Sequence, residues 1–217
     1  MNKTFSHDLL TGMPLIGIMR NLPEQHVKTI AEKYYKAGLT CLEITMNSPN
    51  ACEQIADLAA FYAGKLNIGA GTVCSMDDLE KALKSQAQFI VTPIINEDVI
   101  KACVHENIPV FPGAYTPSEI YKAWSLGATM IKLFPAGDLK PGFVKEILAP
   151  LNFVSLAPTG GITIDNFTDF LANGAKAVGM GSALFPKDII QNQEWDALSA
   201  VFGQFVERYN AYIDKRT

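Results

Sequence analysis

Short apolar segments alternate along this chain with segments of helical periodicity, and this alternation restricts the fold more than any other feature. Eight apolar segments occur, at residues 14–20, 41–46, 68–73, 89–94, 109–114, 130–135, 153–159 and 177–181. Continuous apolar runs of this length are typical of strands covered on both faces, and parallel strands are joined by helical crossovers. The pattern therefore predicts an α/β fold with a parallel sheet.

Helix patterns fill the intervals between the predicted strands. They begin near Pro23, Ser48, Ser75, Asn96, Thr116, Lys140 and Thr163, and a last one covers residues 195–213. Eight strand–helix units favour closure into a single (β/α)8 TIM barrel that spans residues 1–217 as one domain. A doubly wound open sheet is the alternative, but the glycine fingerprint of a dinucleotide site is absent after the first strand.

The charge and the cysteine content narrow the range of partners. A net charge of −4 provides no basic field for nucleic acid or an anionic membrane. No apolar run approaches the roughly 20 residues of a membrane-spanning helix. The four cysteines form no CxxC pair and the three histidines are scattered. We therefore expect reduced thiols, a cytoplasmic location and no metal site.

Two charged residues interrupt predicted strands. Strand alternation places Lys132 on the face opposite Ile131 and Leu133, and it places Glu43 on the corresponding face of the second strand. If helices cover the aliphatic residues, both charged side chains point inwards. Burial disfavours the ammonium form of a lysine and leaves an amine that can attack a carbonyl, while a nearby carboxylic acid can transfer protons. A structural ion pair between the two is the alternative.

Glycine-containing segments follow the last two predicted strands, PTGGI at residues 158–162 and GMGS at residues 179–182. Glycine lets backbone N–H groups approach an anion, and the loops after strands seven and eight of barrels often hold phosphate. The two segments therefore predict a phosphate site, although isolated glycines would indicate only turns. A third segment, GAGTV at residues 69–73, would leave room inside a barrel and offers the Thr72 hydroxyl at its mouth, while tight barrel geometry is the alternative.

Five segments, in order along the chain, resemble the KDPG/KHG aldolase family: LEITMNSP at 42–49, GAGTV at 69–73, IKLFPA at 131–136, PTGGI at 158–162 and GS at 181–182. The resemblance covers nearly the whole chain. It implies a trimeric, metal-free class I aldolase without a cofactor, which reversibly cleaves 2-keto-3-deoxy-6-phospho sugar acids to pyruvate and glyceraldehyde 3-phosphate. It leaves open whether 4-hydroxy-2-oxoglutarate is also cleaved, to pyruvate and glyoxylate.

The resemblance also implies roles for individual residues. Lys132 would form the imine with C2 of the substrate, and Glu43 would act as general acid and base. Thr72, aided by Thr159, would hold the pyruvate carboxylate. The other implied residues are Pro93 and Phe134 in the pocket lining and Gly160, Gly161, Gly181 and Ser182 in the phosphate cradle.

One position departs from the pattern of many phosphogluconate-cleaving members, because Asn47 stands where they carry an arginine. The NSP ending instead resembles the 6-phosphogalactonate branch, in which an arginine at the end of strand one takes over, and Arg20 occupies that place here. Arginine suits bidentate carboxylate binding, although a solvated charge that ends a strand is the alternative. Asn47 could contact a substrate hydroxyl or cap the helix predicted at Ser48.

Two other functions are compatible with the same segments. An isomerase or a thiamin-phosphate-synthase-like transferase would share the glycine loops, and Lys132 would then bind phosphate or serve the structure. A non-catalytic sugar-phosphate sensor would keep the fold and bind its ligand without turnover. The lysine within an apolar strand favours the aldolase.

Overall fold

The computed structural model describes residues 4–216 and has an α/β fold in which short strands alternate with helices. The strands are β1 (Leu15–Met19), β2 (Cys41–Thr45), β3 (Asn67–Gly71), β4 (Ile90–Val91), β5 (Val110–Phe111), β6 (Gly113–Ala114), β7 (Ile131–Leu133), β8 (Leu156–Pro158) and β9 (Val178–Met180). The helices are α1 (His7–Gly12), α2 (Val27–Lys36), α3 (Ala51–Phe61), α4 (Met76–Lys84), α5 (Glu97–His105), α6 (Pro117–Ser125), α7 (Gly142–Leu148), α8 (Phe167–Ala172), α9 (Lys187–Gln191) and α10 (Trp195–Asp214). A 3-10 turn at Glu24–His26 precedes α2.

All strand pairings in the described residues are parallel, which confirms the predicted α/β architecture. Six strands form a curled sheet in the order β5-β4-β3-β2-β1-β9, and three form a second sheet in the order β6-β7-β8. The predicted strand at residues 109–114 is divided into β5 and β6, because Pro112 lies between them and cannot donate a ladder hydrogen bond. An isolated bridge between Thr159 and Gly179 connects the end of β8 with β9.

The two faces of the sheets contribute to different hydrophobic cores. Outward-pointing residues such as Leu42, Ile131 and Leu133 belong to the larger core, which includes the helices. Inward-pointing residues such as Cys41 and Met130 belong to a smaller core. This division confirms the alternation predicted for β2 and β7, in which the aliphatic residues beside Glu43 and Lys132 face the helices.

Helices α4, α5 and α6 begin where their capping residues predict. The side chains of Ser75, Asn96 and Thr116 accept hydrogen bonds from the first turns of α4, α5 and α6. The predicted helix start near Ser48 is wrong, since α3 begins at Ala51 with Asn50 as its N-cap residue. The Ser48 hydroxyl instead bonds to neighbouring loop and strand residues, which are described below.

Other helices also differ from the sequence-based expectation. Helix α8 begins at Phe167 rather than near Thr163, because the Thr163 N–H donates to the side-chain oxygen of Asn166 and forms a turn ahead of the helix. Helices α1 and α9 were not predicted, and Leu10 of α1 packs into the smaller core. Between residues 4 and 216, none of the helices combines the length and the apolar character that spanning a membrane requires.

The Tyr34 hydroxyl joins helix α2 to the first two strands. It accepts a hydrogen bond from the Gly17 N–H at 3.0 Å and donates to the carbonyl oxygen of Cys41 at 2.7 Å. Position 17 has no room for a side chain, since a Cβ atom there would lie 2.7 Å from the Tyr34 ring. Burial raises the pKa of the Tyr34 hydroxyl well above its usual range, so this group remains a neutral donor.

Replacing Tyr34 with phenylalanine tests this connection. We expect Tyr34→Phe to lower the free energy of unfolding by about 1–3 kcal/mol, because the Gly17 N–H and the Cys41 carbonyl lose a buried partner. Urea denaturation measures the change. Tyr35→Phe on the same helix is the matched control, since the Tyr35 side chain is partly exposed, and an equal loss in both variants would contradict the assigned role.

Candidate active site

The predicted site residues lie along one edge of the sheets. Parallel strands all point in the same direction, so residues at their carboxyl ends converge at a common edge. In chain order they are Arg20 after β1, Glu43 within β2, Thr72 after β3, Pro93 after β4, Lys132 within and Phe134 after β7, Thr159, Gly160 and Gly161 after β8, and Gly181 and Ser182 after β9.

Lys132 occupies the centre of β7, between two strands that present small residues to it. Its register partners are Gly113 of β6 and Ala157 of β8. The lysine is only 7% exposed, although it carries an ionisable group. Its Nζ atom lies 4.9 Å from the centre of the Phe134 ring, which can stabilise a cation. The amine is therefore held in an apolar setting with little access to water.

Glu43 lies on the inward face of β2 and is 2% exposed. A Cβ atom at position 71 would lie 1.8 Å from Oε1 of Glu43, so the carboxyl group fills the space that the missing side chain of Gly71 leaves. Burial raises the pKa of the Glu43 carboxyl, and the positive charges of Lys132 and Arg20 oppose this shift. The protonated form of Glu43 therefore persists to higher pH than that of an exposed glutamate.

Glu43 and Lys132 do not form the structural ion pair considered as the alternative. In residues 4–216, the ion pairs with an N···O distance of 4.0 Å or less join side chains that are exposed, and none includes Lys132 or Glu43. The charge of Lys132 nevertheless affects the pKa of Glu43, so the two groups interact electrostatically across the site. Buried ionisable groups that are coupled but not bonded to each other are typical of sites that bind a reactant.

Arg20 supplies a second positive charge at this edge. It follows β1, in which Ile18 is the register partner of Glu43, and its side chain is exposed. Asn47 is also exposed, in the loop after β2. The interpretation of Asn47 as a helix cap is wrong, because Asn50 occupies the N-cap position of α3.

Thr72 and Pro93 follow neighbouring strands. Thr72 has a φ of +58°, in the left-handed region that a β-branched residue rarely adopts. Strain of this kind costs about 1–3 kcal/mol and clusters at functional sites. The carbonyl of Pro93 packs tightly against Gly113, where a Cβ atom would lie 2.3 Å from it. Pro93 is thereby held beside the strand that pairs with Lys132.

The glycine loops after β8 and β9 lie next to each other, because Thr159 bridges to Gly179. Gly160 and Gly161 have φ values of +87° and +70°, which glycine adopts without strain. A Cβ atom at position 181 would meet no atom closer than 3.9 Å, so the backbone there is open to a ligand. The following helices begin only at Phe167 and Lys187, so neither helix N-terminus directly adjoins the glycines.

Two buried threonines at this edge were not predicted as site residues. Thr45 lies two positions after Glu43 on the same face of β2, a spacing that could have indicated it, and Thr92 precedes Pro93. Clefts of about 450 and 630 Å³ lie elsewhere, below the opposite ends of the strands and between α2 and α3. Neither is lined by Lys132 or Glu43.

A buried amine that interacts electrostatically with a buried carboxylic acid can perform covalent carbonyl chemistry. The amine can add to a ketone, and the acid can transfer the protons that addition, dehydration and cleavage require. Arg20 and the glycine loops lie at the same edge as this pair and can bind anionic groups. The site therefore combines a nucleophile, a proton carrier and anion-binding groups.

Comparison with known proteins agrees with this chemistry. The family described as "Aldolase: KDPG and KHG aldolase" matches residues 7–201. The chain is 31% identical to the 2-dehydro-3-deoxy-6-phosphogalactonate aldolase of Escherichia coli, over 81% of this chain and 86% of that protein. It is 30% identical to the 2-dehydro-3-deoxy-phosphogluconate aldolase of Dickeya dadantii, over 92% and 93%.

A solved structure is similar over a comparable length. It is the KDPG aldolase of Legionella pneumophila with pyruvate captured as a covalent carbinolamine, with a TM-score of 0.81 and 26% identity over 90% of this chain and 95% of that one. The family match covers most of the chain, and the relatives and the structure are all aldolases. The chain therefore belongs to the KDPG and KHG aldolase family of lyases.

Proposed function

We propose that this protein is a class I aldolase that reversibly cleaves a 2-keto-3-deoxy-6-phospho sugar acid to pyruvate and glyceraldehyde 3-phosphate. The burial of Lys132 and Glu43, which interact electrostatically without an ion pair between them, is the observation that carries the proposal. Family membership supports the aldolase reaction and does not favour an isomerase or a thiamin-phosphate-synthase-like transferase.

The reaction begins with an imine between Lys132 and the substrate. The Lys132 amine, once it has lost its proton, attacks C2 of the keto acid, and the resulting carbinolamine loses its hydroxyl group as water after Glu43 supplies a proton. The raised pKa of Glu43 supports this acid role near neutral pH. The product is a protonated imine, which carries one positive charge at the former amine nitrogen.

The protonated imine then accepts the electrons of the bond that breaks. Glu43, now a carboxylate, removes the proton of the C4 hydroxyl, the C3–C4 bond breaks and its electron pair forms an enamine. Glyceraldehyde 3-phosphate leaves as the aldehyde. Glu43 returns a proton to C3, and water hydrolyses the imine to release pyruvate and restore the Lys132 amine.

The carboxylate and the phosphate of the substrate bind on opposite sides of Lys132 and Glu43. Arg20, Thr72 and Thr159 hold the carboxylate, while Pro93 and Phe134 line the pocket. The phosphate binds to the backbone of Gly160, Gly161 and Gly181 and to Ser182. Support comes from the left-handed conformation of the two adjacent glycines and from the open space at Gly181.

The substrate can be the gluconate-derived or the galactonate-derived epimer, and 4-hydroxy-2-oxoglutarate is a second candidate. Arg20 at the end of β1 and Asn47 after β2 support the galactonate type, because this placement resembles that branch of the family. Relatives at about 30% identity include aldolases named for each epimer. The ratio of kcat/KM for the two epimers measures the preference directly.

We further infer that residues 1–217 form one domain in which the two sheets close into a (β/α)8 barrel. The Lys176 N–H donates to the Leu156 carbonyl at 2.9 Å, and together with the bridge from Thr159 this bond joins β8 to β9. The smaller core receives residues from strands in both sheets, as expected if the strands surround it.

We also propose a cytoplasmic location. The described cysteines are free, as expected of thiols in a reducing compartment.

Trapping with borohydride tests the imine. Incubation with pyruvate and borohydride should add one reduced pyruvyl group at Lys132, which peptide mass spectrometry locates. Lys132→Ala should lose both the adduct and turnover, while Lys140→Ala, which changes an exposed lysine in the loop before α7, should retain both. An adduct at another lysine, or no adduct in the natural protein, would overturn the proposed mechanism.

Glu43→Gln tests the proton carrier. We expect kcat to fall by about 10²–10⁴, since the amide keeps the size of the side chain but cannot transfer protons.

The same variant tests the burial of the carboxyl group. The free energy of unfolding of the wild-type protein should exceed that of Glu43→Gln by the largest amount below the ordinary carboxyl pKa of 4.5. This difference should decline as pH rises, because the pKa of Glu43 is raised in the folded state. Urea denaturation across pH measures it, and a pH-independent difference would contradict the burial of an ionisable group.

The family resemblance also implies a homotrimer, which we propose here. An exposed aromatic patch supports an interface. The ring centres of Trp124 and Phe153 lie 4.4 Å apart, and Trp124 also contacts the exposed ring of Tyr121. Light scattering should give three times the mass of one chain. Trp124→Ser should lower this mass if the aromatic patch is the interface, and a monomeric natural protein would exclude the trimer.

A further inference from the structure

A serine hydroxyl connects the loop after β1 with the loop after β2. The Oγ atom of Ser48 accepts a hydrogen bond from the Asn21 N–H at 2.9 Å and lies 3.0 Å from the Oγ1 atom of Thr45. A hydroxyl can accept one hydrogen bond while it takes part in another, so Ser48 can satisfy both partners at once. The two bonds form a bridge, which we call the Ser48 bridge, from Asn21 through Ser48 to Thr45.

The outer end of the Ser48 bridge fixes the backbone next to Arg20. The N–H group of Asn21 belongs to the same peptide unit as the carbonyl group of Arg20, so the bond restricts the direction in which the chain leaves β1. Asn21 has a φ of +52°, which is unusual for a residue other than glycine. A hydrogen bond that holds this conformation also holds the Cα atom from which the Arg20 side chain extends.

The inner end of the bridge lies beside the candidate catalytic acid. Thr45 is buried in β2, two positions after Glu43, and strand alternation puts both side chains on the same face. Thr45 is also the register partner of Gly71, whose missing side chain accommodates the Glu43 carboxyl. The Ser48 bridge therefore connects the loop after β1 to the strand that carries Glu43.

A second bond between the same two loops offers a comparison. The side chain of Asn50 donates to the Glu24 carboxylate at 2.7 Å. Both residues are exposed, and neither belongs to the peptide unit of Arg20. This outer contact joins the loops without fixing the arginine.

We propose that Ser48 is a positioning residue that holds Arg20 over the site, so that its guanidinium group binds the carboxylate of the substrate. The proposal rests on the proposed function. An exposed arginine has much side-chain freedom, and fixing its backbone reduces the conformational entropy that is lost when it binds. Without the bridge, Arg20 keeps its charge, but the hydrogen bond of the Asn21 N–H no longer fixes the position of the Arg20 Cα atom.

The test compares steady-state kinetics of Ser48→Ala with those of the natural protein. We expect KM to rise by about three- to tenfold, as for the loss of one hydrogen bond, while kcat remains within about twofold. Ser48→Thr keeps the hydroxyl and should restore KM. Glu24→Ala, which removes only the outer contact, should leave both constants unchanged.

A double-mutant cycle separates positioning from general loop damage. Arg20→Ala should raise KM on its own, and Ser48→Ala should add little in that background, because the two residues act through one contact. If Ser48→Ala unfolds, Thr45→Val removes the inner partner of the bridge and should give the same shift in KM. An unchanged KM, or an equal shift with and without Arg20, would overturn the role of Ser48.

The outcome for Ser48 can be distinguished from the outcome for the proposed function. Pyruvate trapping at Lys132 in the natural protein tests the function first, and its absence would overturn both proposals. Normal trapping together with unaltered kinetics in Ser48→Ala would overturn only the role of Ser48.

Discussion

Burial of two ionisable side chains among apolar strands is the constraint on which the site depends. An ionised group loses much of its hydration when it is buried, and a partner at contact distance is the usual compensation. Lys132 and Glu43 have no such ion pair in the described residues. The structure instead accommodates the Glu43 carboxyl in the space that Gly71 leaves, and it places Lys132 in register between the small residues Gly113 and Ala157. Small neighbouring residues thus make room for both buried groups. Because neither group forms an ion pair, both remain available to a reactant.

The parts of this arrangement that follow from local periodicity could be predicted from the sequence. Lys132 and Glu43 face inwards because side chains alternate along a strand, and the aliphatic neighbours of each reach the helices as predicted. The parallel order of the strands followed from the helix pattern between them. The glycines of β3 were expected to leave room inside a barrel, but the Glu43 carboxyl and the Phe89 ring fill the space beside them, which the sequence did not reveal.

The parts that depend on distant partners could not be predicted. Ser48 followed by proline resembles a helix N-cap, yet its hydroxyl is used by Asn21, which is 27 positions away in the sequence. Helix α3 consequently starts at Ala51, and its start was placed too early. Thr163 shows the same difficulty, since the side chain of Asn166 forms a turn before α8 begins. A residue that can cap a helix can also fix a loop, and only the tertiary structure distinguishes the two.

The positive charges at this edge also explain how one carboxyl group can act as both acid and base in the proposed mechanism. Burial favours the protonated form of Glu43, whereas Lys132 and Arg20 favour the carboxylate. Burial has the larger effect on the Glu43 pKa, so Glu43 is ready to donate a proton before the imine forms. In the proposed mechanism, formation of the protonated imine places a positive charge at the former amine until the imine is hydrolysed. The charge then stabilises the carboxylate that must remove the C4 hydroxyl proton. The balance between acid and base is therefore set by the covalent state of the neighbouring lysine, and it reverses when the bond to pyruvate is hydrolysed.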